Sequence, residues 1–142
     1  LTDHGVREAG LILAEKLADG VPPVMGDAAR LEQVMVNLIN NARDAGGKTI
    51  IVTTGAFAET NRNGGERHFV RIMVEDTGHG IAPEILPKLF HAFVSTKPRG
   101  KGTGLGLRIC RRILEEMGGR ISASNRDEGG ARFEILLPVH GA

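Results

Sequence analysis

The chain has no tryptophan, no tyrosine and only one cysteine, Cys110. Its five phenylalanines are too few to lay a stacking platform for nucleic-acid bases. A lone cysteine excludes an internal disulfide and a cysteine-based zinc site. Charge of one sign is also missing, since 18 basic and 17 acidic residues leave a formal net charge of +1. That balance gives no broad basic surface, and no nucleic-acid partner is expected. Any positive patch must be local. No apolar run reaches the roughly 18 residues that span a bilayer, and the N-terminus lacks the pattern of a secretory signal. The segment is expected in the cytoplasm. It opens on "LTDHG" without a methionine, which suggests a piece of a longer protein. A membrane anchor elsewhere in the parent therefore stays open.

What is present is the mixture of one globular domain: 142 residues, 41% apolar and 25% charged. Folding at this length buries roughly two-thirds of the unfolded surface, enough for one core. "GLILAEKL" (10–17) suits an early strand or a helix remnant, and 1–9 read as residual linker. "DGVPPVMGD" stops any helix, because adjacent prolines hold the backbone extended. Asp27 then suits an N-cap. Over 28–45, Leu31, Val34, Met35, Leu38, Ala42 and Ala45 follow helical spacing, and Gly46 and Gly47 end the run. "KTIIVTTGAF" (48–57) is β-branched and "HFVRIMVED" (68–76) alternates, which predicts a hairpin around the polar stretch 58–67. A short helix is expected near 83–89 and a long loop over 91–104. The stretch 104–119 predicts an amphipathic helix, with Leu105, Ile109 and Ile113 on a stripe widened by Leu107, Cys110, Leu114 and Met117. "GRISASN" and "ARFEILLPV" predict two closing strands about "RDEGG". The expected architecture is an α+β two-layer sandwich, with helices on one face of a mixed, mainly antiparallel sheet.

Three stretches carry chemistry. The first helix contains "NLINNARDAGG", although asparagine is a mediocre helix former. Arg30, Gln33, Asn37, Asn41 and Asp44 share one stripe beside the apolar face, at the edge where a cleft would lie. Amide oxygens are neutral hard donors that suit Mg²⁺ when phosphates supply the remaining charge; the plainer alternative is a solvated helix surface. Next, "EDTGHGI" ends a strand in an acid followed at once by a Gly-x-Gly turn. Its carboxylate suits an exocyclic amine such as that of adenine, or simply caps a turn. Last, "KPRGKGTGLGL" places glycines at 100, 102, 104 and 106 directly before a helix. Such a loop is a ready anion site with Lys97, Arg99 and Lys101 close by, or else a flexible basic hinge. It is neither "GxxxxGK[ST]" nor "GxGxxG", so P-loop and Rossmann logic do not apply.

Taken in order, these stretches resemble the ATP-binding catalytic domain of two-component sensor histidine kinases, in the superfamily that includes gyrase, Hsp90 and MutL. "LEQVMVNLINNARDA" is similar to the family's N box, "EDTGHGI" to its G1 box, "LFHAF" to its F box and "GKGTGLGL" to its G2 box. The tail from 106 to 138 is similar to histidine kinases rather than to gyrase or Hsp90. The short lid and the "NARDA" ending look like nitrogen-regulation and dicarboxylate-transport sensors.

The resemblance implies a Bergerat ATP-binding fold with ATP and Mg²⁺ as ligands. Asn41 matches the Mg²⁺-liganding asparagine. Asn37 stands where ATP-hydrolysing relatives carry a water-activating glutamate, and an amide is no general base at neutral pH. Phosphoryl transfer to an external nucleophile is thereby favoured over hydrolysis, and Asn37 and Asn41 form the candidate catalytic pair. Asp44 falls where many histidine kinases carry a basic residue, and is expected at the nucleotide without an assigned role. Asp76 matches the adenine-reading aspartate, with Gly78, Gly80 and Ile81 shaping the pocket. Phe90 and Phe93 match the F box at the base of the ATP lid. Gly102, Thr103, Gly104, Leu105 and Gly106 fall in the phosphate loop, and Lys97 and Lys101 in the lid.

None of the five histidines lies in an "HE[IL]"-type helical segment. The implied phosphoacceptor histidine therefore belongs to a separate upstream dimerisation domain, and a response-regulator receiver domain is the next partner. The isolated segment is expected to be monomeric. The alternative is a serine kinase of the anti-sigma type or another ATPase of the superfamily.

Overall fold

The computed structural model describes residues 2–8, 11–17, 28–46, 48–91 and 106–139. Two strands open the chain, β1 (Thr2–Glu8) and β2 (Leu11–Leu17), followed by helix α1 (Ala28–Asp44). A long hairpin follows, formed by β3 (Thr49–Thr60) and β4 (Glu66–Asp76). After a short 3-10 helix (Leu86–Lys88) come helix α2 (Gly106–Glu116) and the strands β5 (Arg120–Asn125) and β6 (Ala131–Pro138). The strands form one sheet in the order β1-β2-β3-β4-β6-β5. Only β2 and β3 pair in parallel; the other neighbours are antiparallel. A parallel pair needs a crossover connection, and α1 supplies it between β2 and β3.

Several sequence-based expectations change here. Residues 1–9 are not simply linker, because Thr2–Glu8 pairs along its whole length with β2. Residues 11–17 form a strand rather than a helix remnant. The β3–β4 hairpin is longer than its apolar pattern suggested, since cross-strand pairing continues to Thr60 and Glu66 although both sit beside the polar turn. The helix expected near 83–89 contracts to three residues of 3-10 helix. The second helix, Gly106–Glu116 within the described residues, ends three residues short of the expected 119. Asp27 lies outside the described residues.

Strand register places the core on one face. Ile50 and Val52 of β3, Val70, Ile72 and Val74 of β4, and Phe133, Ile135 and Leu137 of β6 alternate onto that face and are buried. α1 covers it with Val34, Leu38 and Ala42, and α2 with Cys110, Ile113 and Leu114. Full burial of Leu38, Ile50, Leu114, Ile135 and Leu137 stabilises by roughly 1.5–3 kcal/mol each. Ile109 departs from the expected apolar stripe and is 39% exposed. The buried face of α2 centres on Cys110, so Ile109, one position (100°) away, is turned off the core. The opposite face of the sheet carries charge in pairs such as Arg71–Glu134 and Arg132–Glu75. Among the described residues no helix is long and apolar enough to cross a membrane.

Candidate nucleotide site

Asp76 is the last residue of β4 and is 3% exposed. A carboxylate this deep is costly unless hydrogen bonds replace its water. Its Oδ1 accepts from the backbone N–H of Gly78 at 2.8 Å and of Ala131 at 3.4 Å. Among the described residues, both hydrogen bonds to the carboxylate fall on Oδ1 and none on Oδ2. The main chain of Asp76 is held as well, because Arg126 Nη1 donates to its carbonyl at 3.1 Å. Arg126 in turn forms an ion pair with Glu75 at 2.9 Å, on the other side of the strand.

The turn that follows Asp76 is fastened to three other elements. Thr77 Oγ1 accepts from the N–H groups of Lys48 and Thr49, both at 3.2 Å, and ties the end of β4 to the start of β3. The N–H of His79 donates to the Ala45 carbonyl at 3.2 Å, just past the end of α1. Gly78 lies so close to that carbonyl that a Cβ would stand 2.5 Å from its oxygen, so any larger residue pushes the turn off the helix end. Gly80 leads to the buried Ile81, whose N–H donates to Asn125 Oδ1 at 2.7 Å and whose carbonyl accepts from Asn125 Nδ2 at 2.8 Å. On the far side, a Cβ on Gly130 would fall 1.8 Å from the Asp76 carbonyl oxygen.

The asparagine stripe of α1 faces α2. Arg30 pairs with Glu116, and Asn37 Nδ2 donates to Cys110 Sγ at 3.6 Å. Advancing seven residues on α1 retreats six on α2, so the helices run antiparallel and Gly106 stands at the level of Asn41. On this register the described start of α2 lies level with Asn41, at the end of the helix where the dipole is positive. Asn40, off this stripe, accepts from Arg43 at 3.0 Å. Burial pushes the Cys110 thiol up, against a smaller opposing effect of the Asn37 amide. A buried thiol of that kind is an inert packing group at neutral pH.

Asp76, Gly78, Gly80 and Ile81 thus gather in one turn, while the antiparallel register of the two helices, continued one turn past Asn37 and Cys110, brings Asn41 level with Gly106. Asp44 is exposed at the last position of α1. Phe90 packs against the core, edge-on to Phe133 with ring centroids 6.3 Å apart. A cavity of about 660 Å³ lies on the outer flank of α2 between Phe90, Arg108 and Arg111, away from Asp76. Phe93, Lys97, Lys101, Gly102, Thr103, Gly104 and Leu105 lie outside the described residues. Among the described residues no three His, Cys, Asp or Glu side chains cluster as a metal site. The Asn41 side chain offers one neutral hard oxygen, a donor type that suits a cation taking its remaining ligands from phosphate and water.

Thr77, Asn125, Arg126, Gly130 and Ala131, which sequence reasoning did not single out, hold or crowd Asp76 and the turn after it. The one available signal was "RDEGG", which marks a turn without indicating that the turn abuts β4.

Residues 26–141 match the family described as "Histidine kinase-, DNA gyrase B-, and HSP90-like ATPase". Among curated proteins, the chain is 40% identical over 120 residues to the two-component sensor PprA of Pseudomonas aeruginosa, covering 82% of this chain and 12% of PprA. It is 35% identical over 139 residues to the sensor protein FixL of Bradyrhizobium diazoefficiens, covering 95% of this chain and 26% of FixL. With the C4-dicarboxylate transport sensor protein DctS of Rhodobacter capsulatus it shares 37% identity over 139 residues, covering 98% of this chain and 20% of DctS. The chain therefore spans about a quarter or less of these relatives' lengths. Among solved structures, the nucleotide-free catalytic domain of histidine kinase ThkA aligns with a TM-score of 0.69 at 34% identity, over 88% of this chain and 76% of that one. Full-length ShkA in complex with AMPPNP aligns with a TM-score of 0.68 at 30% identity, over 92% of this chain and 26% of that one.

Proposed function

Because the chain belongs to the histidine kinase-, DNA gyrase B- and HSP90-like ATPase family, we propose that it binds Mg-ATP between α1 and α2 and donates the γ-phosphoryl group to a histidine of a separate dimerisation domain. What supports this reading is the buried Asp76 carboxylate, whose two described hydrogen bonds both fall on Oδ1, together with the α1–α2 register that sets Asn41 level with Gly106. Asp76 Oδ2 accepts the exocyclic amine of adenine, and the turn Gly78–Gly80–Ile81 passes beneath the ring. Phosphates extend toward the first turn of α2, where oriented N–H groups favour anions. Asn41 supplies an amide oxygen for Mg²⁺, which when bound neutralises charge on the phosphate oxygens. The resemblance brings Lys97, Lys101, Gly102, Thr103, Gly104, Leu105, Phe90 and Phe93 to the same nucleotide as lid and phosphate loop.

No described side chain at Asn37 or Asn41 is a base able to activate water, which favours an external nucleophile over hydrolysis. In the transfer, an acceptor imidazole nitrogen forms a bond to the γ-phosphorus while the bond to the bridging oxygen of ADP breaks. The imidazole proton passes to solvent. The protein contributes position and charge rather than covalent chemistry. A receiver domain then takes the phosphoryl group, and the parent chain, of which this is a part, supplies the acceptor domain and any membrane anchor.

The test mixes the 142-residue chain with the dimerisation domain of its parent and ATP labelled at the γ position. Label on the dimerisation domain that is lost in acid and kept in base identifies phosphohistidine. Acid-stable label would instead support the serine-kinase alternative, and no label in either form would overturn the transfer reading.

A further inference from the structure

Two backbone donors orient Asp76, and they come from parts of the chain far apart in sequence: Gly78 in the turn after β4 and Ala131 at the start of β6. Asn125 is the residue that joins them. Its main chain is the register partner of Ala131 in the β5–β6 pair. Its side chain clasps the other segment, accepting from the Ile81 N–H at 2.7 Å and donating to the Ile81 carbonyl at 2.8 Å. That clasp imitates a β-bridge, with one amide side chain standing in for a backbone unit.

We propose that Asn125 is a positioning residue for base selectivity: it sets the spacing of the two N–H groups that hold Asp76 Oδ1, and so aims Oδ2 at a donor on the base. This rests on the nucleotide reading above. With both donors in place the carboxylate keeps one rotamer, and Oδ2 meets the 6-amino group of an adenine while repelling the 6-oxo group of a guanine. Without the clasp, the Gly78 and Ala131 donors part and the carboxylate turns.

Asn125 lies at the surface and is not part of the apolar core, so its replacement leaves the core packing in place. The experiment measures dissociation constants of Mg-ADP and Mg-GDP by calorimetry for the wild-type chain, Asn125→Ala, Asn125→Ser and Asn125→Asp, with a melting curve for each. Asn125→Ala removes both bonds to Ile81 and is expected to weaken ADP about tenfold, the worth of one well-made hydrogen bond, while GDP changes little. Asn125→Ser keeps a hydroxyl for one of the two bonds and falls between. Asn125→Asp sets a carboxylate against the Ile81 carbonyl and loses at least as much ADP selectivity as Asn125→Ala. A purely structural role would weaken ADP and GDP by the same factor, or shift only the melting curve; either result overturns the proposal. A wild-type chain with no preference for ADP over GDP would overturn the adenine reading itself, a failure visible before any variant is made.

Discussion

β4 has a glycine-bearing turn at each of its two ends, and the two turns are built differently. The tip between β3 and β4 closes on itself. There the Asn61 N–H donates to the Gly65 carbonyl at 2.6 Å and Asn63 Oδ1 accepts from the Gly65 N–H at 3.2 Å. Residues 61–65 are all exposed. The turn over 77–81, besides its local bonds, reaches distant partners: Thr49 at the start of β3, Ala45 after α1, and Asn125 at the end of β5. A turn held by its own residues only connects two strands. A turn held by three other elements transmits their positions to one side chain, here Asp76, and a site needs that rigidity.

The largest effect expected to separate the two turns is Gly130→Ala. A Cβ there would sit 1.8 Å from the Asp76 carbonyl oxygen at a φ of +93°, so backbone must move. A loss of more than about 3 kcal/mol in urea denaturation is expected, together with loss of nucleotide binding. Near-normal stability would show that β6 does not press on β4 as described. Next comes Asp76→Asn, whose amide keeps its oxygen on the Gly78 and Ala131 N–H groups and so sets a donor, in place of the Oδ2 acceptor, against the adenine amine. ATP affinity should fall roughly 10- to 100-fold, the worth of a charged hydrogen bond, and calorimetry checks it; unchanged affinity would remove Asp76 from adenine reading. A smaller and conditional effect is expected for Asn41→Ala, about tenfold weaker ATP binding in Mg²⁺ and little change in EDTA. Equal losses in both buffers would argue against metal ligation. Smallest is Asn63→Ala at the opposite tip. It removes one exposed hydrogen bond and should cost below about 1 kcal/mol with nucleotide affinity unchanged.

The elements were largely legible because their periodicities are strong. α1 is bounded by prolines and glycines, and the β-branched run of β3 has no helical reading. Ile109 was misread because an i, i+4 match to Leu105 and Ile113 does not locate the centre of the buried stripe. That centre is decided by where α2 meets the sheet, at Cys110. β1 was missed for a related reason. A strand is recognised by its partner, and the partner of Thr2–Glu8 is β2. In the site, Asp76, Gly78 and Gly80 were visible because strand, acid and Gly-x-Gly follow one another. Asn125 and Ala131 were not, since β5 and β6 reach Asp76 only through sheet pairing.

The two asparagines of α1 show the same division. Composition and spacing put Asn37 and Asn41 on one stripe, and the order of motifs marked the stripe as belonging to an ATP site. Their different situations come from packing. Asn37 meets the Cys110 sulfur inside the helix pair, while Asn41 stands level with the first residue of α2. By itself, the sequence determined the local elements, the absence of disulfide chemistry and the identity of the carboxylate and amides. Only tertiary structure decided which oxygen of Asp76 is open and which asparagine is occupied. The physical reason is that a hydrogen-bond partner 55 or 73 residues away is chosen by the sheet and the helix pair, and local periodicity carries no information about it.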